Sequence, residues 1–197
     1  MNRQRSLLGS FAVIMLVASL ASACNRDDEK AVKGRNGPNG AAHDSVSDLA
    51  LSEEGLGQIQ IGMNFDDAVN MGLLNDNPTR NKRCDWVYPA VGSGIPEAVA
   101  VMVVDGKIAR IDVDTGAVTT EDGAKIGDSE DRIKSIYGDE VKVEPHKYNF
   151  NEGWHYLTVL GDSSSAGKAL VFETDGKHVT SFRGGRLPEV KWVEGCS

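Results

Sequence analysis

A helix-opening motif that occurs twice restricts the fold of this sequence more than any other feature. Residues 61–68 read IGMNFDDA, and residues 126–133 read IGDSEDRI. In both copies Ile-Gly precedes one residue, then a favourable helix N-cap (Asn64 or Ser129), then acidic residues in a first helical turn. Two short helices are therefore predicted. The apolar residues expected on their buried sides are Ala68, Met71, Ile133 and Ile136.

Runs of apolar and β-branched residues after each motif predict strands. Asp105-Gly106 and Asp175-Gly176 each join two such runs, and Asp-Gly in this position is a strong hairpin signal. The strands 107–113 and 177–182 alternate polar and apolar residues, which predicts one solvent-exposed face of the sheet. The predicted strands lie at 84–88, 98–104, 107–113, 155–160, 169–174, 177–182 and 190–193.

The order helix, strand, strand, strand in both halves predicts an α+β fold. We expect two tandem modules, 50–122 and 123–197, each a helix with antiparallel sheet, that together form one globular domain. Chance similarity between two short windows is the alternative.

The repeated motif resembles the helix opening of small envelope modules in which helices pack on an antiparallel sheet. The SmpA/OmlA lipoproteins carry one such module, and the β-lactamase inhibitory proteins carry two in tandem. The chain is also similar to uncharacterised proteobacterial secreted proteins, some labelled lectins, that share Ile-Gly-Asp-Ser and an ending like Glu194-Gly195-Cys196. These resemblances imply a fold and a cell-envelope location. They transfer no binding residues, because the inhibitors' contact loops have no counterpart here.

The N-terminus predicts export. Arg3 and Arg5 precede an apolar stretch at 7–20, which has the length of a signal-peptide core and is short for a membrane span. We therefore expect a signal peptide at 1–23. Ala21-Ser22-Ala23-Cys24 resembles the lipobox of bacterial lipoproteins, which implies a lipid anchor with palmitate on Cys24. Cleavage by ordinary signal peptidase, giving a soluble periplasmic or secreted protein, is the alternative.

Residues 24–49 carry glycine, proline and many charges but no aromatic residue, which is typical of a disordered tether. Asn25 stands where aspartate is associated with inner-membrane retention, so the resemblance favours the periplasmic side of the outer membrane. If Cys24 carries lipid, Cys84 and Cys196 are an even pair in an oxidising compartment, and we expect them to form a disulfide. Two free buried thiols are the alternative.

Catalytic and metal-binding patterns are absent from the sequence. No histidine pair has metal-ligand spacing, and there is no nucleophile elbow or phosphate-binding glycine loop. The acidic turn around Asp112 and Asp114 lacks the frame of a calcium loop and is expected to be solvated. A net charge of −8 disfavours nucleic acid as a partner. We therefore expect a protein without enzymatic activity, metal or cofactor.

The candidate binding segment is 145–156, PHKYNFNEGWHY. Aromatic residues interleaved with amides and an acid suit either a protein hot spot or a sugar-stacking surface. The candidate binding residues are Tyr148, Phe150, Trp154 and His155. The alternative is that Trp154 and Tyr156 face the core, where we also expect Trp192. A protein partner is the leading expectation, as for an inhibitor-like module or an envelope-assembly accessory. Carbohydrate or peptidoglycan binding through this segment is the alternative.

Overall fold

A large antiparallel sheet organises the part of the chain that the structure describes. A computed structural model describes residues 49–77, 81, 83–114, 116–162 and 165–197, which all fall in one compact unit. The expected signal peptide, the lipid on Cys24 and the tether up to residue 48 lie outside these residues. Among the described residues, no helix has the length and apolar character needed to cross a membrane.

The secondary structure combines short helices with many strands. The helices are α1 (Phe65–Asn70) and α2 (Glu130–Tyr137), and 3-10 turns occur at Gly138–Glu140, Phe150–Glu152 and Glu189–Lys191. The strands are β1 (Ala50–Ser52), β2 (Gly55–Leu56), β3 (Ile59–Gln60), β4 (Cys84–Val87), β5 (Val99–Val104), β6 (Lys107–Val113), β7 (Thr119–Thr120), β8 (Val141–Pro145), β9 (His155–Leu160), β10 (Lys168–Thr174) and β11 (Val179–Arg186). The fold is therefore α+β, as the sequence predicts.

The strands form two sheets. The larger has the order β4-β5-β6-β11-β10-β9-β8, and all its neighbouring strands are antiparallel. It is continuous because β6 pairs with β11, so strands from both halves of the sequence share one sheet. The smaller sheet has the order β3-β2-β1-β7 and is mixed, since β1 and β7 are parallel.

The two helix-opening motifs make the same backbone hydrogen bonds. Each joins the start of its helix to the hairpin that follows later in the same half. The bonds of the first motif are Gly62 N–H to Ile108 O (2.7 Å), Phe65 N–H to Gly106 O (2.9 Å) and Ile108 N–H to Met63 O (2.9 Å). The bonds of the second are Gly127 N–H to Val179 O (2.9 Å), Glu130 N–H to Lys177 O (3.1 Å) and Val179 N–H to Asp128 O (2.9 Å).

The two predicted Asp-Gly hairpins are present but differ in length. In the first, Asp105 and Gly106 have φ of +50° and +76°, as a two-residue type I′ turn requires. In the second, Thr174 pairs with Val179, which leaves a four-residue turn. The Asp175 carboxylate closes that turn by accepting backbone hydrogen bonds from the two residues before Val179, and these bonds lower the pKa of Asp175.

One face of the larger sheet carries the main core. Its buried side chains pack against α1, α2 and the smaller sheet. Large members of this core that are fully shielded from solvent are Leu51, Leu56, Ile108, Ile111, Ile133, Phe172 and Phe182. Ala68 and Ile133 are buried as expected, and Ile136 is partly buried. Met71 is 51% exposed, because α1 ends one residue before it.

The opposite face of the sheet is covered at its centre, so the expectation of a solvent-exposed face is wrong there. Residues 187–197 cross it as a segment that we call the strap. The strand predicted at 190–193 is also wrong, because the strap turns at Glu189–Lys191 and buries Val190 against β10. Arg110, a polar residue of the alternating pattern, and Arg183, one residue beyond the strand predicted at 177–182, are only 5% and 3% exposed beneath it.

Candidate functional site

Arg110 fixes the strap from β6. Its Nη1 donates to the carbonyl oxygen of Trp192 at 2.6 Å, and its guanidinium lies 5.3 Å from the ring centroid of Trp86. Asp112 accepts two bonds from the same side chain, at 2.7 and 2.6 Å. Asp112 lies at the end of the predicted strand, before the acidic turn that was expected to be solvated. Its carboxylate neutralises a buried cation, which would otherwise be costly to remove from water.

Arg183 makes the equivalent anchor from β11. Its Nε donates to Val190 O at 2.7 Å, and its Nη1 pairs with the Glu173 carboxylate. The guanidinium also lies 5.7 Å from the ring centroid of Tyr156. Two buried arginines on adjacent strands thus bind backbone carbonyls of the strap, and each has its own carboxylate.

A disulfide between Cys84 and Cys196 fixes the end of the strap to β4, in agreement with the pairing expected from the sequence. The two Cα atoms are 5.4 Å apart. Gly195 lies directly on Trp86, and a Cβ at this position would lie 3.0 Å from the indole Cζ2 atom. Its φ of +61° also favours glycine.

A loop beside the strap, residues 146–154, carries most of the predicted binding segment, and we call it the aromatic loop. His146 holds it from within: its Nδ1 accepts hydrogen bonds from the backbone N–H groups of Tyr148 and Asn149, both at 3.2 Å. The imidazole stacks on Tyr156 with 4.6 Å between centroids and meets Trp154 edge-on at 5.7 Å. A buried framework therefore sets the conformation of an exposed loop.

An open groove of about 500 Å³ lies along the strap and also includes Lys147 of the aromatic loop, and we call it the strap groove. Lys147 donates to Glu194 Oε1 at 2.8 Å, and the Tyr148 hydroxyl donates to the same oxygen. Trp192 is 36% exposed at this groove, so the expectation that it lies in the core is wrong. These hydrogen bonds join the loop to the strap and fix the position of one relative to the other.

The four predicted binding residues do not form one surface. Tyr148 and Phe150 are each 56% exposed, whereas Trp154 is half-buried against His146. His155 contacts α2 instead, with its Nδ1 2.8 Å from Glu130 Oε1. Side chains of adjacent residues in extended chain point to opposite faces, which separates His155 from the aromatic loop.

Sequence reasoning missed Lys147, Lys191 and Glu194, which line the groove. Lys147 lies in the aromatic loop, but Lys191 and Glu194 lie on the strap, far along the chain. No local pattern joins these two segments. The terminal Glu-Gly-Cys motif was the available signal, because a disulfide at its cysteine requires the last residues to return to the sheet.

A second polar cluster surrounds Glu130 at the start of α2. Burial raises the pKa of Glu130, but hydrogen bonds from Thr174 (2.6 Å) and His155 lower it more, so the net pKa lies below its usual range. The Thr174 hydroxyl donates to Glu130 and not to His155. The Glu130 carboxylate therefore accepts hydrogen bonds from both partners, and the Thr174 side chain is fully buried. Within the described ranges, no group of three or more His, Cys, Asp or Glu residues is placed to hold a metal.

Comparisons with known proteins leave the chain without an assigned family. No family model matches the sequence, and no curated protein matches it. A solved structure, that of the uncharacterised protein YfeY from Escherichia coli, is similar with a TM-score of 0.43 and 16% sequence identity. The similarity covers 70% of this chain and 99% of that chain. At this level it assigns neither fold nor function.

Proposed function

We propose that this chain is a cell-envelope lipoprotein whose folded domain binds a protein partner, without catalysis, through the strap groove and the aromatic loop. The observation that carries the proposal is the exposure of Trp192 in the strap groove together with that of Tyr148 and Phe150 on the neighbouring aromatic loop. Tyrosine and tryptophan provide large contact areas at low entropic cost, and they dominate protein hot spots. Lys147 and Glu194 supply polar contacts beside them.

Preorganisation supports binding at this surface. His146 fixes the loop backbone, and two arginines and a disulfide fix the strap. A surface that is ordered before binding loses less conformational entropy when a partner docks. The groove therefore suits a partner of defined shape.

The matching hydrogen bonds of the two helix-opening motifs support an arrangement of two related modules, 50–122 and 123–197. We infer that one ancestral helix-and-sheet unit was duplicated and that the two copies joined through β6 and β11. In this proposal the aromatic loop and strap belong to the second module, and the first contributes Arg110 and Cys84 to their support.

The proposed lipid anchor on Cys24 follows from the lipobox-like sequence, and the disulfide supports an oxidising compartment outside the cytoplasm. We place the protein on the periplasmic side of the outer membrane. Labelling with a clickable palmitate analogue should mark the wild type and spare Cys24→Ala. A soluble, unlabelled wild type would contradict the anchor while leaving export intact.

Capture of partners from an envelope extract tests protein binding. The wild type should retain a protein in stoichiometric amount, and Tyr148→Ala with Trp192→Ala should weaken that interaction by at least about tenfold, as for truncated hot-spot residues. Tyr88→Ala is the matched control, because Tyr88 is an exposed aromatic residue that belongs neither to the aromatic loop nor to the lining of the strap groove. Equal retention by all variants would exclude this surface.

Carbohydrate binding is a second candidate, because the exposed ring of Phe150 offers a stacking surface close to amides and a carboxylate in the same loop. Lys147 occupies one face of the Tyr148 ring, with Nζ 5.1 Å from the centroid, which leaves less aromatic area for a sugar. Co-sedimentation with purified peptidoglycan that is lost in Phe150→Ala and kept in Tyr88→Ala would favour this candidate over a protein partner.

A further inference from the structure

The tautomer of His146 is set by its surroundings. Because Nδ1 accepts two backbone N–H bonds, it carries no proton, and the neutral ring holds its proton on Nε2. Nε2 faces Glu173, with 3.6 Å between the nitrogen and Oε2. The ring is only 7% exposed, so little water is available to replace either contact.

A second proton would have to enter at Nδ1. It would change this atom from an acceptor into a donor that points at two N–H donors, and both hydrogen bonds to the loop would be lost. Histidine is the side chain that ordinarily gains a proton between about pH 8 and pH 5. The protonation state of His146 is therefore coupled to the backbone conformation of an exposed loop.

The charged groups that face His146 from other elements do not remove this conflict. Glu173 of β10 attracts a protonated ring at Nε2, but it is already paired with Arg183 of β11, and it does not contact Nδ1. Burial and the Glu173 charge raise the pKa of Tyr156 on β9, so its stacked ring stays neutral in this range. In the strap, Glu194 is engaged by the loop residues Lys147 and Tyr148.

We propose that His146 is a proton-controlled latch: the aromatic loop is ordered while Nδ1 is unprotonated and is released when Nδ1 gains a proton. The imidazolium stays near Glu173, while the backbone at Tyr148 and Asn149 moves away from it. The inference rests on the proposed function only for its consequence, which is weaker binding at acidic pH, since Tyr148 and Phe150 lie in the released loop.

Amide hydrogen exchange of the free protein tests the latch without any partner. Between about pH 8 and pH 5, the protection factors of the Tyr148 and Asn149 amides, corrected for intrinsic exchange, should fall at least about tenfold. Nitrogen chemical shifts of the His146 ring should show Nδ1 unprotonated at the higher pH and protonated when protection is lost. Constant protection across the range, or a proton on Nδ1 at the higher pH, would overturn the proposal.

His146→Asn is the matched variant, because asparagine Oδ1 occupies nearly the position of Nδ1 and accepts hydrogen bonds without titrating in this range. Its loop protection should not change with pH. His155→Gln removes a partly exposed histidine outside the loop and should leave the wild-type transition intact. The same transition in His146→Asn would assign it to another group. Pull-down failure at every pH, with the loop transition present, would reject the binding proposal and keep the latch.

Discussion

Loss of the Cys84–Cys196 disulfide should destabilise the fold strongly. The bridge joins residues 112 apart in sequence, and closing a loop of that length in the unfolded chain corresponds to about 4.8 kcal/mol in the chain-entropy model. At roughly 2–4 °C per kcal/mol for a domain of this size, Cys84→Ala with Cys196→Ala should lower Tm by about 10–20 °C. Thermal and urea unfolding, followed by circular dichroism, measures both quantities.

Loss of the disulfide should lower the free energy of unfolding of the whole domain, but it should change the folded structure only near the end of the strap. Arg110 and Arg183 still bind strap carbonyls in the double variant, and Val190 is still buried. We therefore expect the strap to stay docked around Val190 and to loosen beyond Trp192. Hydrogen exchange of the folded state, residue by residue, separates these two regions.

The single variants are the controls for this interpretation. Cys84→Ala and Cys196→Ala each remove the whole cross-link, so each should be destabilised about as much as the double variant. The free energy of unfolding of the reduced wild type should match that of the single variants within about 1 kcal/mol, since both cysteine side chains remain in place to pack near Trp86. If the free energy of unfolding fell by less than about 2 kcal/mol in both single variants and in the reduced wild type, loop closure would be refuted as the source of the stabilisation.

Four further substitutions test the backbone and the Glu130 cluster. Gly184→Ala should cost about 1–3 kcal/mol, because the new Cβ would lie 2.4 Å from Ser52 O, and urea unfolding would measure it. Gly106→Ala should cost about 1 kcal/mol at φ +76°, whereas Gly116→Ala, with open space and no positive φ, should be nearly neutral in the same assay. The lowered pKa of Glu130 stabilises the fold above its ordinary value of 4.5, and this stabilisation is lost as pH falls through the folded-state pKa. The stability advantage of wild type over Glu130→Gln should therefore shrink on acidification, and a constant difference would contradict it.

Local sequence signals predicted the elements that local interactions determine. The Asp-Gly pairs located both hairpins, and the strand expected at 107–113 matches β6 residue for residue. Ser129 caps α2 as predicted, with its hydroxyl accepting from the Arg132 N–H at 3.1 Å. Asn64 occupies the same position in α1 but makes no such bond; its side-chain amide donates to Asp67 instead. The N-cap position was predictable, and the orientation of its side chain was not.

Long-range contacts explain the missed elements. The edge strand β8 (Val141–Pro145) has mostly exposed residues, so it lacks the alternation that identifies a half-buried strand. The extension of β11 through Gly184 and Gly185 was also missed, because paired glycines favour a break. Here the glycines allow the backbones of β1 and β6 to approach closely, which a single sequence does not reveal.

The pattern of polar and apolar residues did not reveal the candidate site, for a more general reason. Alternation at Arg110 indicates that the second face of the sheet needs hydrogen-bonding partners, but it does not distinguish water from peptide carbonyls. The strap supplies those carbonyls at Trp192 and Val190. The same contacts that satisfy the buried arginines hold Trp192 beside the aromatic loop, and they thereby form one wall of the groove. The groove is thus a consequence of how this sheet buries its charged residues, and its residues become neighbours only when the strap returns across β6 and β11.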